Sequence, residues 1–447
     1  MPANENLSPG GIADAPASGR LPPRLPCHDG DMIDSPVTEF FPSPVAPVAP
    51  PRPLRCLFLI TSMPVGGAET LLVNLLRRLD RARIVPEVAC LKAPGPLGEA
   101  IAGEIPLHSG LLACKWDVRV LARLRRLMRR RVDAVVTVGA GDKMFWGRLA
   151  ARLAGVPVIV SALHSTGWPD GVGRLNRALT PITDGFIAVA DSHADFLREH
   201  ERFPAARVHV IRNGVDCERF RPEPTASARV RRELGIPDNA PVAGIVAALR
   251  PEKNHQMLLR VAAELRPRHP RLHWLIVGDG PERSMLHSVT CRLGLADRVH
   301  FLGTRHDTPR LLPALDLFVL SSLNEASPVS ILEAAACGLP VVATDVGSVA
   351  ETVADGVTGY LVPARDDSAM AGAIERLLFD PEARRRMGDA GRAAVKAHAS
   401  LDAMVRGYET LLHALYADKA LYAEEALHAD KAQTRRGSAL RPPAIAE

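Results

Sequence analysis

A chain of 447 residues exceeds what one core usually organises, so two domains plus tails is the first expectation, and a 47% apolar share can fill both cores. Aromatic residues at 4% argue against a ring-lined platform for single-stranded nucleic acid, and a net charge of +5 marks no polyanion surface unless basic residues cluster. Seven cysteines, an odd number without a CxxC pair, give no sign of a disulfide framework or a zinc cluster and fit a reducing cytoplasm.

Residues 1–52 are rich in Pro, Ala, Gly and Ser, with a run from Pro42 to Pro53 that builds no core, and read as a disordered leader. They lack the basic-then-apolar layout of a signal peptide, and no apolar run approaches the roughly 20 residues that span a bilayer. From Leu54 onward short apolar runs alternate with amphipathic stretches. Buried parallel strands are expected at Leu57–Thr61, Asp133–Val138, Val156–Ala162, Gly185–Ala190 and Val208–Arg212, with helices between them. The polar, Pro-bearing segment Asp216–Asn239 reads as a linker. A second series follows at Val242–Ala248, Leu272–Val277, Val299–Leu302, Leu317–Leu320, Val341–Thr344 and Gly359–Val362. The pattern predicts an α/β protein of two Rossmann-like, doubly wound domains facing a cleft, spanning 53–216 and 217–398. A C-terminal helix over 399–417 is expected to pack back on the first domain, and 418–447 reads as a frayed tail.

Candidate site residues cluster where strands give way to helices. Gly66 and Gly67 follow the first strand and precede a helix face of Leu71, Leu72, Leu75 and Leu76. Two glycines there let backbone N–H groups approach an anion, or else serve a tight turn with positive φ. The segment Gly278-Asp279-Gly280-Pro281-Glu282-Arg283 has Arg283 where a dinucleotide fingerprint needs its third glycine, so a nicotinamide dehydrogenase is not indicated. In the stretch from Asn324 to Pro340, Ser327 is a candidate N-cap with Pro328 at the first helical position and Val329 following, and Gly338 with Pro340 ends the helix. Glu325 then lies in the loop at the helix start and Glu333 roughly one and a half turns inside. Such a pair suits sugar and ribose hydroxyls, or is ordinary acidity at a helix start. Arg250 and Lys253 emerge together after a strand, where a diphosphate leaving group needs neutralising, although Glu252 is an available ion-pair partner. His164 follows a first-domain strand and can face the same cleft, or is an ordinary loop histidine.

In their order and spacing these motifs resemble the family 4 retaining glycosyltransferases, whose fold is GT-B, over roughly Leu54–Tyr416. The resemblance includes Asn213-Gly214-Val215-Asp216, Asn254 and Asp355–Gly359 as well. It implies that Arg250 and Lys253 bind the donor diphosphate, Glu333 the ribose and Glu325 the transferred sugar. It implies also that His164 contacts that sugar across the cleft and that Gly66 and Gly67 approach the phosphates. Asn254 and the helix start at Ser327, Pro328 and Val329 complete the donor-binding set. Family members typically act without a bound metal or DxD motif, so no cofactor is expected, and the one DxD, Asp29 to Asp31, lies in the leader. Ala326, Ala248 and Ser348 stand where the family often has glycine.

The implied activity is retaining hexosyl or N-acetylhexosaminyl transfer from a nucleotide-sugar to a glycan or lipid-linked acceptor, in surface polysaccharide or glycolipid assembly, by same-face attack assisted by the leaving phosphate. A GT-B-type sugar-nucleotide epimerase and a non-catalytic nucleotide-sugar-binding protein are the alternatives. The basic residues do cluster: Arg119, Arg123, Arg125, Arg126, Arg129, Arg130 and Arg131 interleave with Val118, Leu121, Leu124, Leu127 and Met128. Residues 118–131 read as an amphipathic helix, either lying on anionic lipid at the inner face of the cytoplasmic membrane or solvated on the sheet's flank. No nucleic-acid partner is expected.

Overall fold

The computed structural model describes residues 52–438 except 115–116, 130–131, 140–143 and 165–176, with side chains described to 421. The expected leader up to residue 51, with its DxD, and residues 439–447 of the expected tail lie outside the described residues.

Two all-parallel sheets carry the chain. The first comprises β1 (Leu54–Ile60), β2 (Ile84–Cys90), β3 (Leu107–His108), β4 (Ala134–Val138), β5 (Val158–Ala162), β6 (Gly185–Ala188) and β7 (Val208–Val210), in the order β3-β2-β1-β4-β5-β6-β7. The second comprises β8 (Val242–Val246), β9 (His273–Val277), β10 (Val299–Gly303), β11 (Leu317–Leu320), β12 (Val341–Thr344) and β13 (Gly359–Val362), in the order β10-β9-β8-β11-β12-β13. Strands β4, β5, β9 and β11 are buried along their whole length, which is why their sequences are near-continuous apolar runs, broken only by Thr137, Ser161 and His273, and not alternating ones. Strand direction of growth reverses between β1 and β4 in the first sheet and between β8 and β11 in the second. At such reversals successive helices leave to opposite faces and open a crevice beyond the strand ends.

Four segments depart from the sequence expectation, the two-residue strand β3 among them. β2 was not anticipated, because Pro86 and Glu87 interrupt its apolar run; Glu87 is compensated by Arg55 at 2.7 Å. The expected linker contains a helix, Pro224–Glu233, with Pro224 at its first turn, where a proline starts a helix and does not break it. Its buried Arg231 donates to the Ala314 carbonyl at 3.1 Å and pairs with Asp316 at 3.0 Å, so the segment belongs to the second sheet's layer. The last helix, Leu401–Ser438, runs past Asp418, where the frayed tail was expected to start.

The chain passes between the sheets twice, and the two passages touch. Val215 N–H donates to Ala399 O at 2.9 Å and Leu401 N–H to Val215 O at 3.0 Å, forming a parallel bridge opposite Ser400. A side chain on Gly214 would collide with the Ser400 carbonyl, so glycine is what permits this approach. Beyond the crossing, Leu401, Met404, Val405, Tyr408 and Leu412 join the core built by β1, β4 and the helix Gly67–Arg78.

Candidate functional site

The reversal in the second sheet places two loops side by side. After β8 the chain reaches Arg250 and turns through Pro251–Lys253 to Asn254, which takes a left-handed conformation (φ 49°) and opens the helix His255–Leu265. After β11 comes the loop holding Glu325. The loops are stitched together: Leu323 N–H donates to Glu252 O at 2.8 Å, and the Ser321 hydroxyl lies 3.0 and 3.1 Å from the carbonyls of Lys253 and Asn254. Lys253 Nζ lies 2.5 Å from Glu325 Oε1, which also accepts from the Ser322 hydroxyl at 2.7 Å. The Glu325 side chain is 7% exposed and Lys253 23%, so little solvent screens the pair. Arg250 is 62% exposed, with Glu252 no nearer than 3.9 Å, and so presents its guanidinium to the opening.

The glycines Gly278 and Gly280 serve this arrangement as backbone spacers. Side chains there would strike the carbonyls of Ala247 and Leu249, and the close approach lets Leu249 N–H donate to Asp279 O at 3.0 Å. They steady the loop that carries Arg250.

The Glu325 loop is clasped from its other side by the turn after β12. Gly347 has φ 56°, and a side chain there would collide with Glu325 O; Ser348 donates from N–H to Glu325 O at 3.2 Å and from its hydroxyl to Ala326 O at 2.5 Å. Ser348, one of the departures from the family pattern, therefore closes a hydrogen bond that glycine lacks. The following helix spans Val329–Ala336, one residue later than expected: Pro328 is the cap residue, and no side chain caps the helix. Ser327 is not the cap, because Pro328 with ψ 105° is still extended. The Ser327 carbonyl instead accepts from Asn213 Nδ2 of the first domain at 3.1 Å.

Glu333 is half-buried on this helix. Burial pushes its carboxyl up to about 7, against the opposing charge of Arg219, so the solvated reading does not hold. The folded protein holds this proton where the unfolded chain, near 4.5, has lost it. The group's contribution to stability is thus present at low pH and lost as pH rises through about 7.

The first domain meets the second at its glycine turn. Gly66 is extended (φ −158°) and Gly67 begins the helix Gly67–Arg78, so neither needs positive φ, and the tight-turn reading fails. A side chain on Gly67 would lie 3.8 Å from Val329, an ordinary contact, so the starts of the two helices face each other without requiring glycine at this position. The Glu69 carboxylate folds back over Gly66. Burial raises its pKa, while Arg250 from the other domain opposes the shift. Sequence reasoning passed over Glu69; its place three residues after the Gly66 cap position is the signal that could have found it.

His164 lies apart from these groups. Its ring walls an apolar recess inside the first domain with Phe58, Leu71, Leu72, Val138, Met404 and Tyr408, and Nδ1 has no partner among the described residues. Burial, with the nearby His193, pushes its pKa down to about 4, so the ring is neutral at physiological pH.

The basic stretch forms the helix Arg119–Met128, with Val120, Leu124 and Met128 buried. Val118 does not join that apolar face; it is 67% exposed. Arg123 is held by Asp117 at 2.6 Å and Arg125 by the Leu153 carbonyl at 3.2 Å, whereas Arg119, Arg126 and Arg129 have no ion-pair partner among the described residues. Arg130 and Arg131 lie outside the described residues. No group of His, Cys, Asp and Glu among the described residues is arranged to hold a metal ion.

Comparisons with known proteins agree on one family. The family described as Glycosyl transferases group 1 matches residues 227–394, and Glycosyltransferase Family 4 matches residues 65–219. The chain is 36% identical over 377 residues to D-inositol 3-phosphate glycosyltransferase 2 of Catenulispora acidiphila, covering 75% of this chain and 86% of that one. It is 33% identical over 296 residues to GDP-mannose-dependent alpha-(1-6)-phosphatidylinositol monomannoside mannosyltransferase of Mycolicibacterium smegmatis, covering 61% of this chain and 74% of that one. Among solved structures, Anabaena HepE in complex with UDP-glucose shares the fold with a TM-score of 0.71 at 25% identity, over 80% of this chain and 99% of that one.

Because the ion pair is shielded, removing one partner strands the other. Lys253→Met is expected to lower stability by about 1–3 kcal/mol in urea denaturation, and the double variant with Glu325→Gln to recover most of the loss. Strictly additive losses would show that the two groups are not coupled.

Proposed function

The chain belongs to the GT-B glycosyltransferases of group 1 and family 4, and we propose that it transfers a hexosyl or N-acetylhexosaminyl group from a nucleotide-sugar to a glycan or lipid-linked acceptor with retention of configuration. The observation that carries this reading is the Lys253–Glu325 pair, set beside the exposed Arg250 at the sheet reversal. A donor brings a diphosphate and a sugar joined by the bond to be broken. Lys253 exchanges Glu325 for phosphate oxygens, and Glu325 turns its freed oxygen to the sugar hydroxyls. Both groups are in place before charge develops on the leaving diphosphate, which is when fixed positive charge helps most. The start of the Val329 helix, Asn254 and the N–H groups at Gly66 and Gly67 add donors to the same diphosphate, so the charge is met without a bound metal. Glu333 takes the ribose.

The acceptor oxygen forms its bond to the anomeric carbon on the face from which the phosphate oxygen leaves, and its proton passes to that phosphate oxygen. Glu325, held by Lys253 and Ser322, is suited to accept hydrogen bonds and not to attack carbon. Nucleotide-sugar use is supported by the relatives: HepE is solved with UDP-glucose, and the mycobacterial enzyme is named as GDP-mannose-dependent with a lipid acceptor. Polysaccharide or glycolipid assembly fits the same company. No helix among the described residues is long and apolar enough to cross a membrane. The exposed Arg119, Arg126 and Arg129 beside Val118 suit residues 118–131 to an anionic lipid surface.

Two measurements test these assignments. Affinity for UDP or GDP, whichever binds in a thermal-shift screen of nucleotide-sugars, is expected to rise with pH between about 6 and 8, because the ribose hydroxyls donate to ionised Glu333. Glu333→Gln should bind more weakly and lose this pH dependence; an unchanged profile in the variant would remove Glu333 from the nucleotide site. Flotation with phosphatidylglycerol vesicles should show binding that weakens with salt and disappears when Arg119, Arg126 and Arg129 are changed to Glu. Equal flotation with neutral phosphatidylcholine vesicles would refute the lipid surface.

A further inference from the structure

The helix Asp191–Glu199 of the first domain starts without a cap of its own. Its N-cap residue is Ala190, extended at φ −159° and ψ 164°, whose methyl group accepts nothing. Asp191, the first helical residue, has its carboxylate engaged by Arg212. The leading N–H groups are satisfied from the other domain: Asp191 N–H donates to Glu351 Oε2 at 2.8 Å and Ser192 N–H to Glu351 Oε1 at 2.7 Å. One carboxylate thus caps a helix more than a hundred residues away in sequence. Burial pushes its carboxyl up, but hydrogen bonds from Ser192 and Asp191 and the charge of Arg212 outweigh this and hold it below the usual range.

One end of this contact leads to the site. On the second-domain side, Glu351 N–H donates to Ser348 O at 3.1 Å, and Ser348 makes the two hydrogen bonds that clasp Glu325 and Ala326. On the first-domain side, the third residue of the capped helix is His193, 2% exposed, whose Nδ1 accepts from Val189 N–H at 3.3 Å and whose ring lies close enough to His164 to lower its pKa. A hydrogen-bonded series runs from the Glu325 loop through Ser348 and Glu351 to the start of the first-domain helix.

We propose that Glu351 is a positioning residue for sugar transfer: by capping the Asp191–Glu199 helix from the opposite domain, it sets the spacing between the Glu325 loop and the first domain across the cleft. The inference rests on the reading of Glu325 as the group that holds the transferred sugar in the cleft between the domains. It predicts a division of effects. Nucleotide binding uses only second-domain groups and the glycine turn, so it survives loss of the cap, whereas transfer requires the spacing and does not.

The test compares the full-length wild type with Glu351→Ala and with Glu351→Ala combined with Ala190→Ser, which gives the helix a local cap. In Glu351→Ala, UDP or GDP affinity and donor KM should stay within about twofold while kcat falls about 10–100-fold. Hydrogen exchange should quicken at the amides of Asp191 and Ser192. Adding Ala190→Ser should slow exchange again at Ser192, the second helical amide, and leave kcat low. Wild-type kcat in Glu351→Ala, or recovery of kcat with the local cap, would overturn the proposal by showing that the carboxylate does no more than stabilise a helix. If the wild type transfers no sugar from any donor, the reading of the site fails first. Small-angle scattering then judges the cap by itself: a larger radius of gyration in Glu351→Ala supports it, and an unchanged radius overturns it.

Discussion

The arrangement of the molecule around its cleft depends on one short contact, Lys253 to Glu325. Its members come from loops that are neighbours only because the second sheet is built outward in both directions from β8 and β11. Shielded ion pairs seldom add net stability, since desolvating two charges offsets most of their attraction. This one is held by features with no other evident purpose: the hydroxyls of Ser321 and Ser322, the Leu323 to Glu252 hydrogen bond, and the positive-φ Gly347 under the Glu325 carbonyl. So much support for so unprofitable a contact is understandable if the two charges are kept for a third party. A donor carrying phosphate and hydroxyls at adjacent positions replaces the pair on both sides at once.

The first domain contributes shape more than charge. The helix start at Gly67 faces Val329, Asn213 reaches the Ser327 carbonyl, and Glu69 lies under the influence of Arg250. All three contacts join the strand ends of one sheet to those of the other. The double passage at Val215 and Ser400 is the covalent counterpart, where two backbone segments pair directly and leave no room for a side chain at residue 214.

Much of this was legible in the sequence because it is local. Buried parallel strands are near-continuous apolar runs, and β11, β12 and β13 fall where those runs lie. Arg250, Lys253 and Glu325 were legible for the same reason, as charged residues immediately beyond strand ends. What escaped depends on distant partners. Glu87 hid β2 because its compensating Arg55 is on another strand. The helix after Pro224 was mistaken for a linker because its polar Arg231 is satisfied by residues more than eighty positions later. Gly66 and Gly67 suggested a turn of unusual dihedral, whereas Gly66 is extended and lies under the Glu69 carboxylate. Glu351 was passed over because a helix start lacking its own cap reveals nothing about where the cap is.

The account stands or falls on what happens to Lys253 when a donor arrives. A crystal structure of the full chain with UDP or GDP and its sugar should find Lys253 Nζ withdrawn from Glu325 and bonded to a diphosphate oxygen, with Arg250 turned to the same group and Glu325 against the sugar. A complex in which the nucleotide lies elsewhere and the Lys253–Glu325 contact is intact would contradict it.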